Sequence, residues 1–232
     1  PTNVINVSSC GTLDQDNAYY VLNQSIDVSS GQPDCLIITG NNITLDGESK
    51  YLISIPSFLG RIVDIRGSNS LIKGLNMTVL LPAISLSYGI YVNPSSNNNT
   101  ISENTLSNVS FGISTSSSDS NTISRNTIIS SSQRGIFIAS SNTSTISGNT
   151  ISNSNQGIST SSSNSNTISE NTLSNVSFGI STDSSNSNTI SGNTISNSLV
   201  GIYPYFSNNL AIVNNLIVNS RGYRVFFSGI SR

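Results

Sequence analysis

Residues Asn99–Ser124 read NTISENTLSNVSFGISTSSSDSNTIS, and residues Asn166–Ser191 read NTISENTLSNVSFGISTDSSNSNTIS. The copies differ at two of 26 positions, Ser116 against Asp183 and Asp119 against Asn186, and lie 67 residues apart, three periods of about 22. Working outward, the paired Asn recurs at Asn104, Asn126, Asn149, Asn171, Asn193 and Asn215. A Gly followed by Ile recurs at Gly89, Gly112, Gly135, Gly157, Gly179 and Gly201. A fixed period this short is the signature of a solenoid.

Each period carries three short alternating segments. In the first unit these are Thr100-Ile101-Ser102, Thr105-Leu106-Ser107 and a segment from Gly112-Ile113-Ser114, closed by a polar loop to Ser120. Alternation of polar and apolar residues is strand periodicity, and nothing in the repeat follows a 3.6-residue period. The fold expected is therefore all-β: a right-handed parallel β-helix of about 22-residue coils. The apolar residues fall into three files along its axis, headed by Ile101, Leu106 and Ile113. The Asn104–Asn215 file is expected to tolerate left-handed bends and to bond amide to amide as a ladder. The recurring Gly is expected to serve a bend.

Residues 1–40 are read as an N-terminal capping segment and residues 41–232 as the continuous β-helix. Cys10 and Cys35 are the only cysteines, both near one end, which suggests a disulfide tethering the cap; two buried thiols are the bland alternative. The last residues show no comparable cap. Tyr223, Phe226 and Phe227 either fold over the core or offer an apolar edge to another subunit.

Only 9% of residues are charged and the net charge is -2, which leaves no basic footprint for nucleic acid. No apolar run approaches the roughly 20 residues of a spanning helix. Eight N-x-S/T sequons, at Asn6, Asn23, Asn42, Asn76, Asn98, Asn108, Asn142 and Asn175, are candidate glycosylation sites. With the cysteines they favour a secreted protein at the cell surface, with Pro1 left by processing.

The repeat N-T-I-S-x-N-x-I-S-N-x-x-x-G-I resembles the NosD-type carbohydrate-binding and sugar-hydrolase-associated β-helix repeat. The stretch from Cys10-Gly11-Thr12-Leu13-Asp14 through Cys35-Leu36-Ile37-Ile38 to Asn42-Ile43-Thr44-Leu45-Asp46-Gly47 is similar to the opening of secreted archaeal members. That resemblance implies a right-handed parallel β-helix in periplasmic, surface or polysaccharide-related roles. Some relatives are lyases, hydrolases or epimerases.

Candidate chemistry is sparse. Glu103 and Glu170 are three coils apart, about 14 Å, too far for the roughly 5–9.5 Å of paired glycosidase carboxylates. Arg125 follows Glu103 by one coil and is expected to form a surface ion pair with it. The densest charge is Asp46, Glu48, Lys50, Arg61, Asp64, Arg66 and Lys73, where Asp46 and Lys73 are expected to pair. With no His, no Gly-rich phosphate motif and no metal or cofactor signature, none is expected. Rows of Thr-x-Ser on two faces also resemble ice-binding arrays. The residues before each Gly (Tyr88, Phe111, Arg134, Gln156, Phe178, Val200) form a broken aromatic stripe that could stack on sugars. The expectation is a non-enzymatic structural or adhesive surface protein, assembling with itself into a filament or surface layer, with surface glycans as a further partner. The alternatives are a β-helix that binds polysaccharide or cleaves it as a lyase or hydrolase, and an ice-binding protein.

Overall fold

The computed structural model describes residues 4–28, 33–54, 60–80 and 86–228. They form a parallel β-helix with three sheets of ten, nine and ten strands, every pairing parallel. Nine complete coils run from the strand Tyr19–Leu22 to the strand Tyr223–Val225. Successive coils are offset by 22 or 23 residues in the regular part, as in Ile101↔Ile123 and Ile123↔Ile146.

The coil follows from the repeat. Three-residue strands such as Thr100–Ser102 and Thr105–Ser107 build the first and second sheets. Six-residue strands such as Phe111–Ser116 build the third. In each, the Ile or Leu points inward: Ile101, Leu106 and Ile113 are fully buried, as are their equivalents through Ile190, Ile195 and Ile202. Burying each such side chain contributes about 1.5–3 kcal/mol.

The corner between the first two sheets carries the Asn file. Asn149 Nδ2 donates to Ile123 O at 2.9 Å and to Asn171 Oδ1 at 2.9 Å, while its own Oδ1 accepts from Asn126 N and Nδ2, both at 3.0 Å. The ladder is thus present, but the left-handed backbone sits one residue earlier than expected. It falls on Glu103, Arg125, Gly148, Glu170, Gly192 and Asn214, with φ between 53° and 64°. The Asn itself is needed for its amide, which satisfies the backbone of the preceding coil in a corner closed to water.

The recurring Gly also has a different cause from the one expected. None of these glycines adopts positive φ. A Cβ on Gly135 would lie 2.6 Å from Ile151 Cγ2 and 2.7 Å from Gly157 O. The position is glycine because two coils and a core side chain meet there, not because the chain bends.

A second ladder escaped the sequence reading. Asn99, Asn121, Ser144, Asn166 and Asn188 link coil to coil at another corner, as in Asn166 N to Asn188 Oδ1 at 2.7 Å. All five are buried.

The described residues of the segment 1–40, read as a cap, supply five strands that lie at the N-terminal edges of the three sheets. Gly11 pairs with Leu36, which sets Cys10 opposite Cys35, and the two form a disulfide with Cα atoms 4.5 Å apart. At the other end the last coil changes character. Ala211, Val213, Leu216 and Val218 replace the outward Thr and Ser, and all four are exposed.

Candidate functional site: an aromatic and arginine face on the third sheet

The charges at residues 46–73 do not form one cluster. Lys73 Nζ lies 2.7 Å from Asp46 Oδ2 on the first sheet, where Tyr19 Oη also donates to Asp46 at 2.6 Å. Burial pushes the Asp46 carboxyl up, but the hydrogen bonds from Lys73 and Tyr19 outweigh it and hold the group below its usual range. Its partner Lys73 is raised by the same bond.

Arg61, Asp64 and Arg66 lie on the third sheet. Asp64 is fully buried and bonded through both oxygens. Its Oδ1 accepts from Arg61 Nη1 at 3.0 Å and from Asn93 Nδ2 at 2.5 Å, and its Oδ2 accepts from Arg66 Nε at 2.6 Å. Arg66 Nη2 also reaches Asp34 Oδ2 at 3.3 Å. Burial pushes the Asp34 carboxyl up, and nearby Asp64 adds to this against the two arginines. The expected Arg125–Glu103 pair is present at 3.0 Å on the surface.

The outward face of the third sheet then runs the length of the rod. One outward row is Arg61, Tyr88, Phe111, Arg134, Gln156, Phe178, Val200 and Tyr223, the stripe visible in the sequence. A parallel row, not recognised from sequence, is Asp64, Tyr91, Ser114, Phe137, Ser159, Ser181 and Tyr203. The signal was available: each of these residues follows the Ile after the recurring Gly, or its Val63 equivalent, so alternation points it outward.

The rings of the two rows join. Tyr88 stacks on Phe111 with centroids 4.9 Å apart, and Tyr203 stacks on Phe226 at 5.5 Å. Arg61 lies over the Tyr91 ring at 4.2 Å, and Arg134 over the Phe137 ring at 4.0 Å. Phe226 thus joins the outer face and does not fold over the core, and Tyr223 stacks on it at 4.6 Å. Phe227 is exposed.

Between the two aromatic groups lies a hollow of about 190 Å³. Phe137 and Arg134 stand at one end, Tyr203 and Tyr205 at the other, with Ser159 and Ser181 on its floor and Asp183 at its edge. Burial pushes the Arg134 guanidinium below its usual range, against a small opposing effect of Tyr88. Elsewhere, none of the eight sequon asparagines is buried. The Thr-x-Ser rows are in register on the first and second sheets, as in Thr145↔Thr167 and Thr150↔Thr172.

Residues 25–223 match the family described as periplasmic copper-binding protein (NosD). The chain belongs to the NosD family. The family's periplasmic description and the disulfide both place it outside the cytoplasm.

Among solved structures the chain is similar to the enzymatically active domain of bacteriophage CBA120 tailspike protein 2. That match has 13% identity and a TM-score of 0.77, covering 99% of this chain and 41% of that one. It is also similar to a double mutant of the tailspike of E. coli bacteriophage HK620 in complex with a pentasaccharide. Here identity is 10% and the TM-score 0.63, covering 92% of this chain and 49% of that one. A third similarity is to a point mutant of the periplasmic alginate epimerase AlgG, with 14% identity and a TM-score of 0.51, covering 93% of this chain and 76% of that one. At these identities the likeness is one of fold. The chain spans less than half the length of these tailspike chains. No curated protein matches the sequence.

Copper is bound by imidazole, thiolate and thioether donors. This NosD-family chain has no His, and both cysteines are consumed in the disulfide. The single methionine, Met77, is fully buried in the core. Among the described residues no three His, Cys, Asp or Glu converge. These residues do not fit a copper centre.

Proposed function

We propose that this NosD-family β-helix is a secreted, non-enzymatic, adhesive surface protein that binds extended carbohydrate along the outer face of its third sheet. The observation that carries the reading is the double row of aromatic and arginine side chains from Arg61 to Phe226. Aromatic faces pack against the C–H faces of sugars, and planar guanidinium groups supply paired donors to hydroxyl or carboxylate oxygens. A chain of such platforms at the coil spacing suits a linear polymer. The fold likeness to a tailspike in complex with a pentasaccharide and to an alginate epimerase is in keeping with it. The non-enzymatic part rests on Asp64, the fully buried carboxylate of this face, which is held by Arg61, Arg66 and Asn93 and closed to solvent. The test is retention on an array of bacterial and plant polysaccharides. Tyr203→Ala and Phe137→Ala should each weaken retention about ten-fold while leaving the circular dichroism spectrum unchanged. Retention of no polysaccharide, or retention indifferent to both changes, would sink the reading.

A second reading, head-to-tail assembly, is favoured by the apolar collar of the last coil. Val213, Leu216, Val218 and Tyr223 are exposed there beside strand edges that pair with no other described strand, and the N-terminal edge strands are parallel to them. Sedimentation velocity over a hundred-fold range of concentration checks it. The assembly predicts growing species that Leu216→Lys abolishes, and a constant monomer would exclude it.

A further inference from the structure

The hollow between the two aromatic groups is more specific than the face around it. Its floor is made by Ser159 and Ser181, the only small residues between Phe137 and Tyr203 in their row. In this row no ring stands between Phe137 and Tyr203, whose strands are three spacings, about 14 Å, apart. Three features of this gap point to a ligand.

The first is Ser181. It is 8% exposed and alternation directs its side chain to the floor of the hollow; its Oγ has no hydrogen-bond partner and is closed to solvent in this rotamer, so it meets a ligand by turning about χ1. A buried hydroxyl without a partner is costly, which makes it a waiting contact. The second is Arg134. Among the described residues its guanidinium has one acceptor, Gln156 Oε1 at 2.8 Å from Nε, and no carboxylate. Arg61 and Arg66 on the same sheet are both paired. The Nη donors of Arg134 are left unused, beside a hollow, in a half-buried setting where an unpaired cation is unfavourable. The third is Tyr203. Phe226, one coil beyond, stacks on one face of its ring and Phe178, one coil before, packs at a tilt against it at 5.6 Å, so Tyr203 stands fixed beside Tyr205 as the wall of the hollow.

The duplication sharpens the point. Ser114 and Ser181 are equivalent in the two near-identical copies, yet Ser114 lies between Tyr91 and Phe137 and has no such gap beside it. One of the two differences between the copies, Asp183 in place of Ser116, falls at the edge of the hollow.

We infer that this hollow is a subsite for an acidic sugar residue of a polysaccharide. The sugar carboxylate sits on the Nη donors of Arg134, a hydroxyl on Ser181 Oγ, and the C–H groups against the wall made by Tyr203 and Tyr205. Asp183 accepts from hydroxyls of the neighbouring sugar at the opposite corner. This rests on the carbohydrate reading above and adds the class of sugar.

The experiment titrates the whole chain with oligosaccharides of galacturonate, glucuronate, mannuronate and guluronate, each paired with its methyl ester, which keeps the backbone and removes the charge. The expected result is that at least one acid form binds about ten-fold or more tightly than its ester. Arg134→Gln should erase that difference, Arg134→Lys should restore part of it, and Ser181→Val should weaken both forms by filling the floor. If acid and ester bind alike, or if Arg134→Gln leaves the preference intact, the acidic subsite is overturned while carbohydrate binding survives. If no oligosaccharide binds and the polysaccharide array is also blank, both readings fall.

Discussion

At the scale of single residues, the repeat is a set of solutions to backbone accounting. Each corner leaves N–H and C=O groups that cannot reach the sheet ladders, and Asn amides or Ser hydroxyls of the adjacent coil satisfy them. Asn149→Ala would orphan Asn126 N and Ile123 O in a site with no exposure. At about 1–3 kcal/mol per orphan the change should cost about 3 kcal/mol in urea denaturation. The same change at Asn215, in the half-open last coil, should cost visibly less. The importance of the Asn file was legible in the sequence, but which residue takes the left-handed conformation was not. Glu103, Arg125 and Glu170 occupy it, and their side chains give no hint of it. Only the closure of the corner forces those residues into that backbone.

At the scale of elements, strand alternation decides which face each side chain joins, and that separated charges which looked adjacent in the chain. Asp46 and Lys73 tie the first-sheet strands Thr44–Asp46 and Leu71–Lys73 together, while Arg61, Asp64 and Arg66 belong to the third sheet. The first pair makes a pH prediction. Asp46 is held below its usual range when folded, so its stabilisation is present above about pH 3.9 and is lost as pH falls through the folded value. Lys73 is raised, so its share is present below about pH 10.4 and is lost as pH rises through its folded value. Asp46→Asn should therefore lower the thermal midpoint near neutrality and flatten its fall at both extremes, as followed by circular dichroism from pH 2 to 11. The arithmetic of alternation also explains the missed outer row. Phe137 and Tyr203 lie three residues beyond the stripe residues Arg134 and Val200 in sequence, but only two places beyond them in the ladder, which is why both rows face outward. The close-packed Gly takes one place without a partner in the ladder.

At the scale of the whole molecule, the rod is modular along its axis. Because residues 166–191 repeat 99–124, deleting residues 99–165 joins matching registers and removes three coils. The shortened chain should fold, lose about 14 Å of length in solution scattering, and unfold cooperatively. It should also lose the acidic preference, since Arg134 and Phe137 leave with the deleted block. A chain that failed to fold would show that the coils are not interchangeable. The period of the sequence by itself determined the parallel β-helix, the three core files and the Asn ladder, because each depends on spacing that recurs in every coil. The tertiary structure alone decided the hollow at Ser181, the unused donors of Arg134 and the partition of the charges between faces. Those depend on which residues from coils 22 to 67 positions apart are brought side by side, and on what fills the space between them.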